Sequence, residues 1–295
     1  MSKPASQQSI QSLLSALRDH LGSLQDSAPS GEIDPHLEQA VLALDSLSEQ
    51  IAAYEGQMEH KLQETTLDRA RFISVMTHEL RVPMTSIKGY ASLISQGVAG
   101  PVTEQQVSFL GVIHNNVDRM AALVSDLSDI ARIESGRLKL DISAVSFEAV
   151  VDKVMGDLQP SLHEKRLSAP TKIQPGLPSI AADASRLSQV LNSLIRNAIM
   201  YTPPGGEICV AASFNDRMIT VEITDNGIGV KTEEQDRLFT PFFRSDDPFV
   251  REQNGWGLSL YVSSRLVYSM GGDIGMRSAT GEGSTFWFSL PSAPD

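Results

Sequence analysis

Between residues 72 and 94 the apolar positions Ile73, Met76, Leu80, Pro83, Ile87, Tyr90 and Ile94 are separated by 3, 4, 3, 4, 3 and 4 residues. That rhythm is the seam of a helix packed against other helices. At about 100° per residue, His78 falls roughly opposite the seam, toward solvent. Pro83 sits on the seam. A proline inside a helix loses one hydrogen bond and its ring clashes with the carbonyl four residues back, at a cost of about 3 kcal/mol or more. Here that carbonyl belongs to Glu79, directly after His78, so the helix is expected to bend or loosen beside the histidine. Taken alone, the stretch also reads as a tolerated kink next to a chance surface histidine.

The same rhythm recurs downstream at Leu110, Ile113, Val117, Met120, Val124 and Leu127. "SQGVAGPV" ends the earlier helix, Thr103 and Gln106 form a capping box for the next, and Gly136 stops it. Two amphipathic helices joined by a short loop make a hairpin that cannot bury its apolar face alone. Pairing of two hairpins as a dimeric four-helix bundle is the economical solution. Upstream, Ile10, Leu14, Leu17, Leu21 and Leu24 predict a helix over 5–26, broken by "DSAPSGEIDP". Asp34-Pro35 then opens a second helix carrying Leu37, Val41, Leu44, Leu47, Ile51, Tyr54 and Met58. No breaker separates it from the 72–94 segment.

From about residue 142 the texture changes. Helical stretches at 146–165, 184–201 and 257–270 alternate with β-like runs. "EICVAASF" and "MITVEITD", separated by "NDR", read as a hairpin, and "GDIGMRSAT" with "GSTFWFSLP" as another. The expected fold class is α plus α+β: a dimeric four-helix-bundle hairpin, then an α/β sandwich whose mixed sheet is covered on one face by helices. Three segments follow: 1–66, an N-terminal helical, coiled-coil-like part; 67–141, the hairpin; and 142–295, the sandwich.

Composition narrows the function classes. The 295 residues are 41% hydrophobic, enough for two cores, and carry a net charge of -12. With no basic run, nucleic acid and anionic membrane surfaces are excluded as expected partners. Cys209, the single cysteine, lies in an apolar run and is expected to be a buried thiol, which fits a reducing compartment. No run of about 18 apolar residues and no signal-peptide core is present, so a cytoplasmic protein without a transmembrane segment is expected.

Several stretches carry chemistry. "DNGIGV" (225–230) follows a β run, and its glycines allow backbone N–H groups to approach a phosphate or base. Asp-Asn-Gly is also an ordinary turn. "GWGLSL" (255–260) opens a helix, a ready anion site or simply a flexible entry. Between them lies the long polar stretch 231–254 with Phe239, Phe242 and Phe243, a lid-like loop. In "QVLNSLIRNAIMYT" (189–202), Val190, Leu191, Leu194, Ile195 and Ala198 bury one face, and Ser193 and Asn197 share a side. A helical asparagine is more often a surface residue, yet its carbonyl oxygen suits Mg²⁺. His78-Glu79 is no zinc-protease motif, because Val82 occupies the second histidine's place, and the other histidines lack ligand spacing. No nucleophile elbow and no Walker loop occurs.

In this order, the pieces resemble the sensor histidine kinases of two-component signalling. "HELRVP" resembles the phosphoacceptor box, "QVLNSLIRNAIMYT" the N box, "DNGIGV" and "GWGLSL" the two glycine boxes, "LFTPFFR" the phenylalanine box and "GEGSTFWFSLP" the closing strands. The likeness spans about residues 67–292. It implies that His78 attacks the γ-phosphate of ATP, with Glu79 orienting the ring, and that an imidazole supplies the needed unprotonated nitrogen. It implies ATP contacts from Asn197, Tyr201, Asp225, Gly227, Gly229, Arg244, Gly255, Gly257, Leu258 and Thr285, with Asp225 on the adenine amino group, Thr285 assisting there and Asn197 on Mg²⁺. It implies a homodimer and transfer of the phosphoryl group to an aspartate of a response regulator receiver domain.

The chain departs from the family pattern at four places. Ser193 replaces the first N-box asparagine, Met200 a basic residue, Ser259 a glycine, and Val82 the threonine or asparagine four residues after the histidine. Arg196, Lys231, Arg244 or Arg251 could replace the missing charge. A degenerate nucleotide-binding scaffold is therefore the alternative to an active kinase.

Overall fold

Helix α1 (73–95) runs without a break through Pro83. The computed structural model describes residues 73–98, 100–253 and 255–294, so the helices expected before residue 72 and the whole of segment 1–66 lie outside the described residues. The expected loosening at Pro83 does not interrupt the helix: losing one amide leaves the neighbouring turns to hold the path. Helix α2 (Glu104–Glu134) starts at the capping box read from sequence, with Gln106 N–H donating to Thr103 Oγ1 and Thr103 N–H to Gln106 Oε1 at 2.8 Å. It ends where Gly136 takes a φ of 66°.

The hairpin divides the apolar stripes in two. On α1 the buried positions are Thr77, Met84 and Ala91, seven apart; on α2 they are Leu110, Val117 and Val124, again seven apart, and, at its end, Asp129, Ile130 and Ala131. Met84, Val117 and Val124 form one cluster. Of the seam expected from sequence, Leu110, Val117 and Val124 of α2 are covered, whereas Leu80, Ile87 and Ile94 of α1 are 39%, 48% and 40% exposed and Ile113 and Met120 of α2 are 40% and 45% exposed. Each helix thus covers one edge of its stripe inside the chain and leaves the other edge bare. Lys88–Asp118 at 2.5 Å and Ser92–His114 at 3.3 Å also tie the two helices.

The second region contains β1 (Ser143–Val145), α3 (Phe147–Glu164), β2 (Thr171–Ile173), β3 (Ile180–Ala182), α4 (Ala184–Tyr201), β4 (Ile208–Asn215) and β5 (Met218–Asp225). It continues with α5 (Thr232–Gln235), α6 (Pro248–Glu252), α7 (Ser259–Ser269), β6 (Asp273–Ala279) and β7 (Gly283–Pro291). The five-stranded sheet has the order β2-β4-β5-β7-β6, with β2 parallel to β4 and the other pairs antiparallel. A separate β1-β3 pair escaped the sequence reading, because three-residue strands are too short to show a period. The β4–β5 turn is Asp216-Arg217, both with positive φ, as a two-residue primed turn requires.

One face of the sheet forms the core. Ile208 and Val210, Ile219, Val221 and Ile223, and Phe286, Phe288 and Leu290 alternate inward against Leu187, Leu191, Leu194 and Leu266 of the helices. Cys209 has the opposite parity. It is half-buried on the outer face, not the buried thiol expected. The end of α2 joins this core through Ile130, with Leu123, Leu127 and Ile133 against it. Beside them Asp129, buried, receives Arg186 Nη1 at 3.0 Å and Gln189 Nε2 at 2.8 Å.

Candidate functional site

Asp225 ends β5 on the core face and is only 5% exposed. Burial pushes its carboxyl above the usual carboxylate range, while the backbone N–H groups of Gly227 and Ser284 pull it back. Gly227 N–H donates to Asp225 Oδ1 at 2.8 Å. A Cβ on Gly227 would lie 2.5 Å from the Tyr201 carbonyl oxygen. Gly229, at φ +69°, would drive a Cβ into the Ala279 carbonyl. The loop after Asp225 is therefore wedged between the end of α4 and the β6–β7 turn. Ile228 completes the wedge, donating to Tyr201 O at 3.3 Å and accepting from Gly281 N–H at 2.8 Å.

Helix α4 carries the next residues. Asp183 caps it, accepting from Ser185 and Arg186 N–H. Its apolar face fills the core, and Asn197 lies half-buried one turn before Tyr201. Ser193, a further turn back, has a buried Oγ with no hydrogen-bond partner. Burial raises the Tyr201 phenol above its usual range, opposed by the Arg244 charge nearby. The last carbonyls of α4 are fully used, although its last turn holds no basic residue. Lys165, arriving from the end of α3, donates to Ile199 O at 2.8 Å, Met200 O at 2.9 Å and Thr202 O at 3.2 Å. A cation at a helix C-terminus also complements the dipole. Sequence reasoning missed Lys165, since nothing local links it to residues more than thirty positions away.

The 231–254 segment folds back on itself. Arg244 spends its guanidinium on backbone: Nη1 donates to Gly255 O at 3.0 Å, Nη2 to Val250 O at 2.5 Å and Gln253 O at 2.7 Å. The residue expected to meet ATP is thus a clasp closing α6 onto the second glycine stretch. Arg251 pairs with Asp246 at 2.5 Å, whereas Arg196 and Lys231 are exposed. The three phenylalanines do not cluster: Phe239 meets Phe286 edge-on at 6.5 Å, Phe243 lies under Arg237 at 4.5 Å, and Phe242 is 64% exposed. A hollow of about 320 Å³ lies between Glu234, Arg237, Phe242, Phe243 and Arg244. A hollow of about 380 Å³ lies on the outer sheet face between Lys172, Gln174, Thr220 and Glu222, on the far side of the sheet from Asp225.

Gly257 takes φ +69° against the Phe243 carbonyl, while Gly255 is exposed with open space around it. Leu258, expected at the nucleotide, is 1% exposed and belongs to the main core.

Thr285 is a correction. In the β5–β7 register Asp225 faces Ser284, and Thr285 faces Thr224 on the other side of the sheet. The Thr285 and Thr224 hydroxyls lie 3.0 Å apart there. Directly opposed residues share a face. Ser284, 7% exposed, is therefore the hydroxyl beside Asp225. The signal was present in "STFWFSL": Ser284 has the parity of Phe286, Phe288 and Leu290.

His78 and Glu79 stand apart on α1. Their side chains are 73% and 72% exposed, and Nδ1 of the ring is 3.6 Å from the carboxylate, an ion-pair rather than hydrogen-bond distance. That leaves Nε2 facing solvent. Val82, one turn on, is 60% exposed. The structure so gathers Asn197, Tyr201, Asp225, Gly227, Gly229 and Arg244 at one end of the sandwich, with Ser284 added and Thr285 removed. Among the described residues no group of three His, Cys, Asp or Glu side chains could hold a metal. The Asn197 carbonyl, with the orphaned Ser193 hydroxyl one turn away, still suits an ion such as Mg²⁺, which keeps most of its ligands as water and phosphate.

Residues 68–136 match the family described as His Kinase A (phospho-acceptor) domain, and 182–294 match the histidine kinase-, DNA gyrase B- and HSP90-like ATPases. Sensor histidine kinase GacS of Pseudomonas protegens is 32% identical over 232 residues, 77% of this chain and 25% of GacS. Signal transduction histidine-protein kinase BarA of Escherichia coli is 29% identical over 298 residues, 90% of this chain and 32% of BarA. The chain therefore spans about a quarter to a third of the length of these curated relatives. Full-length ShkA, crystallised in complex with AMPPNP, superposes with a TM-score of 0.65 at 29% identity, covering 76% of this chain and 46% of ShkA.

Proposed function

The chain belongs to the sensor histidine kinases of two-component signalling, and from that premise we propose that it phosphorylates His78 with ATP and passes the phosphoryl group to an aspartate of a response regulator receiver domain. One observation carries the reading: an exposed histidine with a carboxylate on Nδ1 and a free Nε2 shares a chain with a buried aspartate at the mouth of a glycine-lined loop. The division is 1–66 as the input segment, 67–141 as the dimerisation and phosphotransfer domain and 142–295 as the catalytic domain, in a cytoplasmic setting. Among the described residues no helix is long and apolar enough to cross a membrane.

The roles follow from geometry and chemistry. Asp225 accepts from the Gly227 N–H at Oδ1 and keeps acceptor sites for the adenine amino group. Gly229 holds the first loop against the Ala279 carbonyl and Gly257 holds the second against the Phe243 carbonyl, with the Arg244 charge near Tyr201. Asn197 would hold Mg²⁺, which when bound neutralises charge on the phosphates. The Nε2 lone pair attacks the γ-phosphorus in line, an N–P bond forms as the bond to the ADP oxygen breaks, and the positive charge left on the ring is stabilised at Nδ1 by Glu79. The receiver aspartate then displaces the histidine from phosphorus. The uncovered edge of the hairpin, with Leu80, Ile87, Ile94, Ile113 and Met120, is the surface on which a second copy completes a four-helix bundle. Pro83 marks where that bundle bends during signalling.

Incubation with γ-labelled ATP and Mg²⁺ tests this reading. An acid-labile, base-stable label is expected on the wild type and is absent from His78→Gln. A label that persists in His78→Gln refutes the assignment.

A further inference from the structure

Lys165 stands where α3 stops and is half-buried. Its side chain crosses to the end of α4, where Nζ donates to the carbonyls of Ile199, Met200 and Thr202 at 2.8, 2.9 and 3.2 Å. An ammonium has three protons and no lone pair, so these bonds use all of it. Of the carbonyls from 199 to 202 one is left, that of Tyr201, and it accepts the Ile228 N–H at 3.3 Å. One cation thus fixes the three carbonyls around the one to which the loop after Asp225 is tied.

The backbone of Lys165 is held by the same end of α4. Gly205 N–H donates to Lys165 O at 3.0 Å, and Ser168 N–H donates to Gly206 O at 3.0 Å. Arg166 takes φ 53° although it is not glycine, while Leu167 N–H returns to Leu162 O at 2.9 Å and closes α3. A left-handed non-glycine residue is strained, so the surrounding contacts impose this path. A second tie runs on to the loop. A Cβ on Gly206 would meet Thr202 Cγ2 and Asn226 Oδ1, and Glu207 N–H donates to that Oδ1 at 2.8 Å. The far end of the loop is fastened elsewhere: Val230 N–H donates at 2.8 Å to Ser278 Oγ, which lies 3.1 Å from the Ser284 hydroxyl.

We propose that Lys165 is a positioning residue for nucleotide binding, which sets the end of α4 so that Tyr201 O holds Ile228, and with it Asp225 and Gly227, in place. The inference rests on the nucleotide reading above and adds a residue that acts through the loop. Without the cation, carbonyls 199, 200 and 202 compete for water and for the Ile228 N–H. The loop then gains freedom that binding must remove again.

The full chain is titrated with a fluorescent ATP analogue, and amide hydrogen exchange is followed without nucleotide. Lys165→Met is expected to weaken binding about tenfold, the worth of one charge-assisted hydrogen bond. Exchange is expected to quicken at 199–203 and 225–230 and to stay slow at 219–223 in the core of β5. Lys165→Arg, which keeps the charge and the donors, recovers part of the affinity. Unchanged affinity, unchanged exchange at 225–230, or an equal rise there and across 219–223 overturns the inference, because Lys165 then only caps α4 or stabilises the whole sandwich. If Lys165→Met does not fold, Lys165→Gln, with two donors and no charge, gives the same two readings; failure of both to fold overturns the inference as well. A wild type that binds no analogue overturns the nucleotide reading itself, and this inference with it.

Discussion

The hairpin and the sandwich use the same apolar residue types to opposite ends. In the sandwich, alternating strand positions and helix faces close on each other, and Leu187, Leu191, Leu194, Ile208, Ile219, Ile223 and Phe288 are completely buried. In the hairpin only one edge of each stripe is covered, by Met84, Val117 and Val124, and large apolar side chains stay exposed along both helices. A sheet with helices on one face satisfies its hydrophobic periodicity within one chain. A two-helix hairpin offers each helix a single neighbour, so the second edge stays bare within the chain, where the proposed second copy would cover it. The sandwich, with the end of α2, closes its core within the chain; the rest of the hairpin does not.

The sharpest way to break that contrast is to put a charge on the bare edge. Ile87→Glu is expected to turn the dimer into a monomer at micromolar concentration in light scattering and to leave the sandwich folded, because a buried unpaired carboxylate costs several kcal/mol only where a partner covers it. A wild type that is monomeric under the same conditions removes the premise.

The next effect lies where the two regions join. Asp129→Ala leaves the Arg186 guanidinium, itself only 19% exposed, without its carboxylate. Removing one partner of a buried pair costs about 3–5 kcal/mol. Chemical denaturation should show that loss, and a change within error would mean that water reaches Arg186 freely.

Asp126 refines the same junction. Burial first, and the Asp129 charge second, raise its carboxyl from 3.8 to about 6. A folded-state value above the unfolded one means the native state holds the proton longer. Stability therefore falls as pH rises from about 4 to about 6 and stays lowered above that. Asp126→Asn removes the penalty. Melting at pH 8 should show a gain of about 1–2 kcal/mol, allowing for partial exposure, and at pH 4 almost none. An equal gain at both pH values would contradict the shift.

The smallest effect touches no stability. Val82 shares the exposed face of His78 but has no hydroxyl with which to orient a water. Phosphate on a loaded regulator, with ATP removed, should persist in the presence of the wild type and decay faster with Val82→Thr. Rapid decay with the wild type would show that this position is not needed for dephosphorylation.

Much of this was legible along the chain. The 3-4 rhythm, the Thr103–Gln106 cap, the two β hairpins, the aspartate before a glycine loop and the outward histidine are set by neighbours within a few residues, and such local relations survive in a string of letters. The tertiary structure alone decided the rest. It covered Thr77, Met84 and Ala91 and left Leu80, Ile87 and Ile94 bare, because which edge of a stripe is buried depends on where the second helix lies. It replaced Thr285 by Ser284, since strand register decides which residue faces Asp225. It gave the Arg244 donors to the carbonyls of residues 250, 253 and 255, because a guanidinium bonds whatever acceptor the fold brings to it. It set Lys165 at the end of α4 and Ser278 behind Ser284, joining residues that lie far apart or whose contact requires a strand to turn back on itself. Periodicity fixes the direction of a side chain relative to its own element; packing fixes what that side chain meets.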